Sequence, residues 1–184
     1  MASAFSHAVA ASAISAAFYR SNVPKQVWIA GIVCSVVPDL DVIRLRFGIR
    51  YEDFWGHRGF THSLTFAVLL AAVLGAGILR KEHESSRLLL FAYLFLSTAS
   101  HGLLDAMTNG GLGVAFFSPF DNQRYFLPWR PIRVSPIAAS RFFGARGLAV
   151  LKSELLWIWL PSIMVMALVT ISRRLRIAEP ESPR

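Results

Sequence analysis

Five apolar stretches, at about residues 3–19, 26–43, 60–79, 88–108 and 148–171, dominate this chain and constrain it more than any other feature. Each approaches the ~20 residues that a helix needs to cross ~30 Å of hydrocarbon. Backbone polar groups in lipid must be satisfied within the protein, which leaves helices and closed barrels as the spanning structures. Charged residues make up 16% of the 184 and hydrophobic ones 54%, against about 25% charged in an ordinary soluble domain. The expectation is an all-α, polytopic integral membrane bundle of about five transmembrane helices. It forms one domain over residues 1–177, followed by a disordered tail at 178–184.

The first stretch is rich in small residues but lacks a basic segment before it and carries Arg20 after it, so it reads as a retained helix and not as a secretory signal. Its Ala8, Ala10, Ala11, Ser12 and Ala13 suit close packing inside the bundle, whereas the bulky third and fifth stretches suit lipid. Between the fourth and fifth, residues 109–147 hold Pro119, Pro128, Pro131 and Pro136 among Phe116, Phe117, Phe120, Tyr125, Phe126 and Trp129. An aromatic and Arg-rich cap at the membrane face is expected there.

Charge narrows the partners. The net charge of +8 comes from Arg scattered between apolar segments, with no basic block and no recognition motif, so nucleic acid is not an expected partner. Membrane lipids and a lipid-like, phosphate-bearing substrate are. Cys34 stands alone, which excludes an intrachain disulfide. Arg173, Arg174 and Arg176 after the last stretch, with Arg80, Lys81 and Arg87 between the third and fourth, assign that side to the cytoplasm and the other to the outside.

Ionisable side chains in lipid are costly and usually functional. Alternating topology puts His7 at the start of stretch one, Asp39 and Asp41 near the end of two, His57 and His62 at the start of three, and His101 and Asp105 near the end of four. All of them fall on one side of the membrane. His101 and Asp105 are four apart, so they share one helix face. In Val37-Pro38-Asp39-Leu40-Asp41, Pro38 weakens the helix, and the two carboxylates can point the same way from a non-helical turn. Gly59 is expected to permit an unusual turn between His57 and His62, with Thr61 or Ser63 capping the helix that follows. Imidazole with carboxylate is the ligand set of Zn, Mn or Fe. The number of groups allows one or two divalent ions, Zn or Mn first, and paired ions suit phosphoester cleavage.

Other polar residues carry blander readings. Asp53 and Asp121 read as loop or capping residues and Glu52 as a solvated loop charge, although it is a possible general base. Thr61, Ser63, Thr108 and Asn109 are candidates to support ligands, and His83 belongs to solvent. Arg58 is the first candidate to pair with a phosphate, ahead of Arg44, Arg46 and Arg124.

In order, His7, Pro38-Asp39-Leu40-Asp41, His57-Arg58-Gly59-Phe60-Thr61-His62-Ser63 and His101-Gly102-Leu103-Leu104-Asp105 resemble the YdjM-type family of bacterial inner-membrane proteins. The resemblance covers nearly the whole chain, including Pro119-Phe120 and Pro128-Trp129-Arg130-Pro131. It implies a multi-pass protein of the bacterial inner membrane with metal-dependent hydrolase activity. A partial likeness to zinc phospholipase C and related nucleases points to phosphodiesters, though this chain is shorter and membrane-embedded.

The expected function is therefore a membrane-bound metal-dependent hydrolase in which metal-activated water attacks a phospholipid or other amphiphilic phosphoester on the periplasmic side. Asp39, Asp41, His57, His62, His101 and Asp105 are the expected metal ligands, and both Asp39 and Asp41 stand as candidates. His7 is a ligand or proton shuttle, and Arg58 steadies developing charge. The same residues also admit a metal ion or proton transporter, or a metal-stapled membrane scaffold.

Overall fold

A computed structural model describes residues 1–18, 25–78, 84–137 and 139–178. Helix α1 (Ala4–Phe18) leads to α2 (Lys25–Val36), which continues without a break into a 3₁₀ segment, Val37–Phe47. Helices α3 (Leu64–Ile78) and α4 (Glu84–Ala106) follow. After a long irregular connection come a short helix α5 (Ala139–Phe142), then α6 (Ala145–Glu154), one π turn (Leu155–Trp159) and α7 (Leu160–Ala178). Among the described residues there are no strands, only isolated bridges joining Thr108 to Ile132 and Val114 to Tyr125.

Among the described residues, three helical segments are long and apolar enough to cross a membrane: the 23 residues Lys25–Phe47, the 20 residues Arg87–Ala106 and the 31 residues Ala145–Leu175. The first and third of the expected five stretches form shorter apolar helices, Ala4–Phe18 and Leu64–Gly77. Helix α4 is the hub, packing on α1, α2 and α3, while α7 leans on α1. Small residues put α1 where the sequence suggests: Ala11 is fully buried, and Ser6, Ala13 and Ser15 are buried beside it. Helix α7 leaves Leu160, Ile163, Met164, Leu168 and Ile171 exposed, as a lipid-facing helix must in the absence of lipid.

Two prolines reshape their helices. Pro38 stands at the start of the 3₁₀ segment, where its missing N–H and ring bulk interrupt the α ladder, and the chain tightens to three residues per turn. The expected non-helical turn is thus a helical one of different pitch. Pro161 follows the π turn, whose Leu160 N–H reaches back to Leu155; the wider turn makes room for a ring that would otherwise crowd the carbonyl four residues earlier.

At the end of the bundle where α4 finishes, the long connection folds back over the 48–63 loop. Ala115 N–H bonds the Arg58 carbonyl, Leu127 N–H bonds that of Ala106, and Asn109 N–H bonds that of Ile132. Phe120 and Trp129 remain exposed on it, giving the aromatic rim expected of an interfacial cap. The expected tail beyond Ala178, His83, and Arg80 and Lys81 lie outside the described residues.

Candidate metal centre

Four parts of the chain deliver the ionisable groups to one place. Asp39 and Asp41 come from the 3₁₀ segment, His57 and His62 from the loop before α3, His101 and Asp105 from the last turns of α4, and His7 from α1. All of them are buried. A Cβ on Gly102 would lie 2.9 Å from the His62 carbonyl oxygen, so the glycine beside His101 is what lets the loop approach α4 this closely. The unusual turn falls elsewhere than expected. Gly59 has a negative φ, and Arg58 adopts the left-handed region at φ 64°. Gly59 matters through space, since a Cβ there would meet the Phe54 carbonyl. Ser63 Oγ accepts the Phe66 N–H and caps α3, whereas Thr61 turns inward.

One ligand atom each from Asp39, His62, His101 and Asp105 lies within 4.8 Å of all the others. His101 Nδ1 meets the Ser35 carbonyl oxygen at 2.7 Å, which makes Nδ1 the protonated nitrogen and leaves the lone pair on Nε2. His62 Nδ1 is 3.2 Å from both Asp41 Oδ2 and Thr61 Oγ1. The two Nε2 atoms then face each other at 3.0 Å. Asp39 Oδ1 is 3.3 Å from His101 Nε2, and Asp105 Oδ2 is 3.6 Å from His62 Nε2. Buried carboxylates and imidazoles this close need positive charge among them, supplied by a proton shared between the two Nε2 atoms or by a metal cation. Neither oxygen of Asp39 has a hydrogen-bond partner.

A second group, Asp41 with His57 and His62, shares the His62 ring. Here the carboxylate is well supplied: Asp41 accepts Thr61 Oγ1–H at 2.7 Å and Arg58 N–H at 3.2 Å, and lies 2.7 Å from His57 Nδ1. Burial pulls His57 below the usual imidazole range, with Asp41 opposing. His57 Nε2 has no partner.

His7 stacks on His101 with ring centroids 3.7 Å apart and planes 16° from parallel. Both its nitrogens lack hydrogen bonds, and Nε2 stands 3.6 Å from Asp105 Oδ1. Arg58 is fully buried and turned inward: Nε donates to Asp105 Oδ2 at 3.0 Å, and its other two nitrogens donate to the Gly110 carbonyl and Thr108 Oγ1. Its guanidinium therefore anchors Asp105. Arg44 donates to the Trp55 carbonyl, and Arg124 to the carbonyls of His57, Tyr51 and Asp53. Glu52 is exposed next to Arg50, Asp53 accepts the Arg50 N–H, Asp121 accepts from Gln123 N–H and the Tyr125 hydroxyl, and Asn109 accepts the Val134 N–H.

Sequence reasoning passed over Glu154. It is completely buried and accepts from Ser3 N–H, Ser3 Oγ–H and Ser6 Oγ–H. An acidic residue inside an apolar stretch was the available signal. Ala2 N–H donates to Asp105 Oδ1 at 2.7 Å, a backbone contact that no side-chain pattern announces.

The family model for the YdjM inner membrane protein matches residues 1–177. The chain is 37% identical to the inner membrane protein YbcI of Escherichia coli (strain K12) over 174 residues, which is 95% of this chain and all of that protein. It is also similar to the uncharacterized protein YvsG of Bacillus subtilis (strain 168), with 29% identity over 113 residues, covering 58% of this chain and 66% of that one. No solved structure matches. An inner-membrane location follows for a helical bundle of this kind, and the chain belongs to the YdjM inner membrane protein family.

Proposed function

We propose that this protein is a membrane-bound metal-dependent hydrolase acting on a phospholipid or another amphiphilic phosphoester at the periplasmic interface. The observation that carries the reading is the pair of Nε2 atoms of His62 and His101, 3.0 Å apart beside the Asp39 carboxylate, neither of whose oxygens has a hydrogen bond. Two imidazoles with two carboxylates suit Zn or Mn better than Mg or Ca. Asp39, His62, His101 and Asp105 would hold the ion, and Asp41, already surrounded by donors, orients His57 and His62. A second ion at Asp41, His57 and His62 would require Asp41 to give up those contacts.

A divalent ion supplies acidified water near neutral pH and polarises a phosphoryl oxygen. The chain's own groups do the rest. His57 Nε2 and the His7 nitrogens, buried and without hydrogen bonds, can carry a proton. Arg58 fixes the Asp105 carboxylate and acts as a positioning residue. A transport path would need ionisable groups continuing along the bundle, but beyond the site the buried core of Val27, Cys34, Leu90, Tyr93 and Leu94, with the hydroxyls of Ser97 and Thr98, holds no buried Asp, Glu, His, Lys or Arg among the described residues, which weighs against transport.

The test is metal analysis of the purified protein together with a phospholipid-hydrolysis screen, for wild type and His101→Ala. Bound Zn or Mn with chelator-sensitive hydrolysis, both lost in the variant, supports the proposal. Metal without any hydrolysis would leave the scaffold reading, and unchanged metal and activity in His101→Ala would remove that residue from the site.

A further inference from the structure

A cavity of about 780 Å³ adjoins the metal centre, lined by the 3₁₀ segment, the 48–63 loop, the long connection and the start of α6. His57 lines it, the imidazole that is 1% exposed and whose Nε2 has no partner. So do two arginines far apart in sequence, Arg46 from the 3₁₀ segment and Arg146 from the first turn of α6. Arg44, Arg58 and Arg124 are already engaged, Arg44 on Trp55, Arg58 on Asp105 and Arg124 on three carbonyls. Arg46 and Arg146 are exposed, and no hydrogen bond or ion pair holds either among the described residues. The rest of the lining includes Val42, Ile43 and Ile137; Ile43 and Ile137 are 51% and 45% exposed, so the apolar wall reaches the protein surface.

Two uncommitted guanidiniums, a buried imidazole with one nitrogen free of hydrogen bonds and an apolar wall call for one kind of occupant. We infer that this cavity is the substrate seat of the hydrolase proposed above and takes a phosphate group carried on an apolar tail, with Arg46 and Arg146 gripping the phosphate and Ile43 and Ile137 flanking the tail. The inference rests on that hydrolase reading for the word substrate, but not for the binding itself. A guanidinium fork matches two phosphate oxygens at once, and cavities of this size commonly bury a small amphiphile. A surface anchor for lipid would need no imidazole of the metal centre in its lining.

Equilibrium binding to the full chain, as purified in neutral detergent, tests it with three probes: dihexanoyl phosphatidic acid, dihexanoyl glycerol and inorganic phosphate. The expected order is phosphatidic acid well ahead of both others. Arg46→Gln combined with Arg146→Gln weakens the first probe about tenfold or more while metal content stays at the wild-type level. Arg130→Gln, whose guanidinium lies over Phe126 and outside the cavity lining, leaves binding unchanged. Ile137→Trp, which fills the cavity without touching charge, also blocks it. Wild-type affinity in the double variant, equal binding of the glycerol probe, or inorganic phosphate binding as tightly as the lipid would each overturn the inference. Arg-dependent binding by a protein that contains no metal would sustain the cavity assignment and sink the hydrolase reading, so the two failures are distinguishable.

Discussion

Ser6 Oγ donates to Glu154 Oε2 at 2.8 Å and accepts the Trp159 indole N–H at 2.8 Å. Glu154 and Trp159 are five positions apart, and an α-helix would turn them about 140° from one another. The intervening π turn brings them to one side, and together they clamp the segment that carries Ala2 and His7 into the site. Removing the carboxylate in Glu154→Ala leaves Ser3 N–H and two hydroxyls buried without an acceptor. With hydrogen bonds to a charged group worth roughly 1.5–3 kcal/mol each, a loss of about 3 kcal/mol or more is expected, and a smaller loss in Glu154→Gln. Thermal unfolding in detergent measures both; equal midpoints for wild type and Glu154→Ala would mean the clamp contributes nothing.

Asp39 and Asp41 should respond differently to the same chemical change. Asp39 has two oxygens without hydrogen bonds, whereas Asp41 is held by Thr61, Arg58 and His57. Asp39→Asn is expected to abolish metal retention through gel filtration. Asp41→Asn should keep the ion with about 10- to 100-fold weaker affinity, the usual cost of disturbing a group that orients a ligand. Metal titration of the two purified variants decides it, and the reverse ranking would exchange their roles.

How far the sequence reached depended on whether a contact had a local signature. His101 and Asp105 share a helix face through their spacing alone, and alternation of the apolar stretches was enough to collect His7, Asp39, Asp41, His57 and His62 at the same end. The different surroundings of Asp39 and Asp41 were hidden because they depend on pitch. At about 120° per residue in a 3₁₀ helix, carboxylates two positions apart diverge, one toward His101 and the other toward His57. Arg58 looked like a phosphate ligand because its partners Asp105, Thr108 and Gly110 lie about fifty residues away. Five apolar stretches were legible from composition, and among the described residues three of them lie in helices long enough to span while the other two form shorter apolar helices.

Arg58 offers a test of geometry against charge. Its three nitrogens each donate to a different partner from a left-handed backbone. Arg58→Lys keeps the charge but cannot reproduce the fork. Arg58→Ala leaves Asp105 buried beside an empty space, which costs about 3–5 kcal/mol when a buried pair is broken. The lysine variant is expected to recover less than half of that loss, as read from denaturant unfolding. Full recovery would show that Asp105 needs only a nearby positive charge.

Orientation has its own measurement. Gln123 is exposed on the long connection at the metal-centre end, and Cys34 is buried. In a Cys34→Ser background, Gln123→Cys should react with a membrane-impermeant maleimide in intact bacterial cells if the centre faces the periplasm. Labelling only after the cells are broken would turn the protein over.

Metal removal and acid should act through the same groups. An ion bound to the folded state alone stabilises it in proportion to the logarithm of its concentration over Kd, about 2.7 kcal/mol at a hundredfold excess. Chelation is therefore expected to lower the unfolding midpoint by several degrees. Imidazoles must lose their protons to bind an ion. His57 adds to this in a fixed direction: burial lowers its folded value below the usual one near 6.5, so its contribution is complete above that pH and declines as the pH falls below it. Metal content and melting temperature, followed together from pH 8 to pH 5, should fall in parallel in wild type. In the Asp39→Asn protein the chelator-dependent part should vanish while a residual acid destabilisation remains. A melting temperature indifferent to chelator across that range would mean that no ion resides among these side chains.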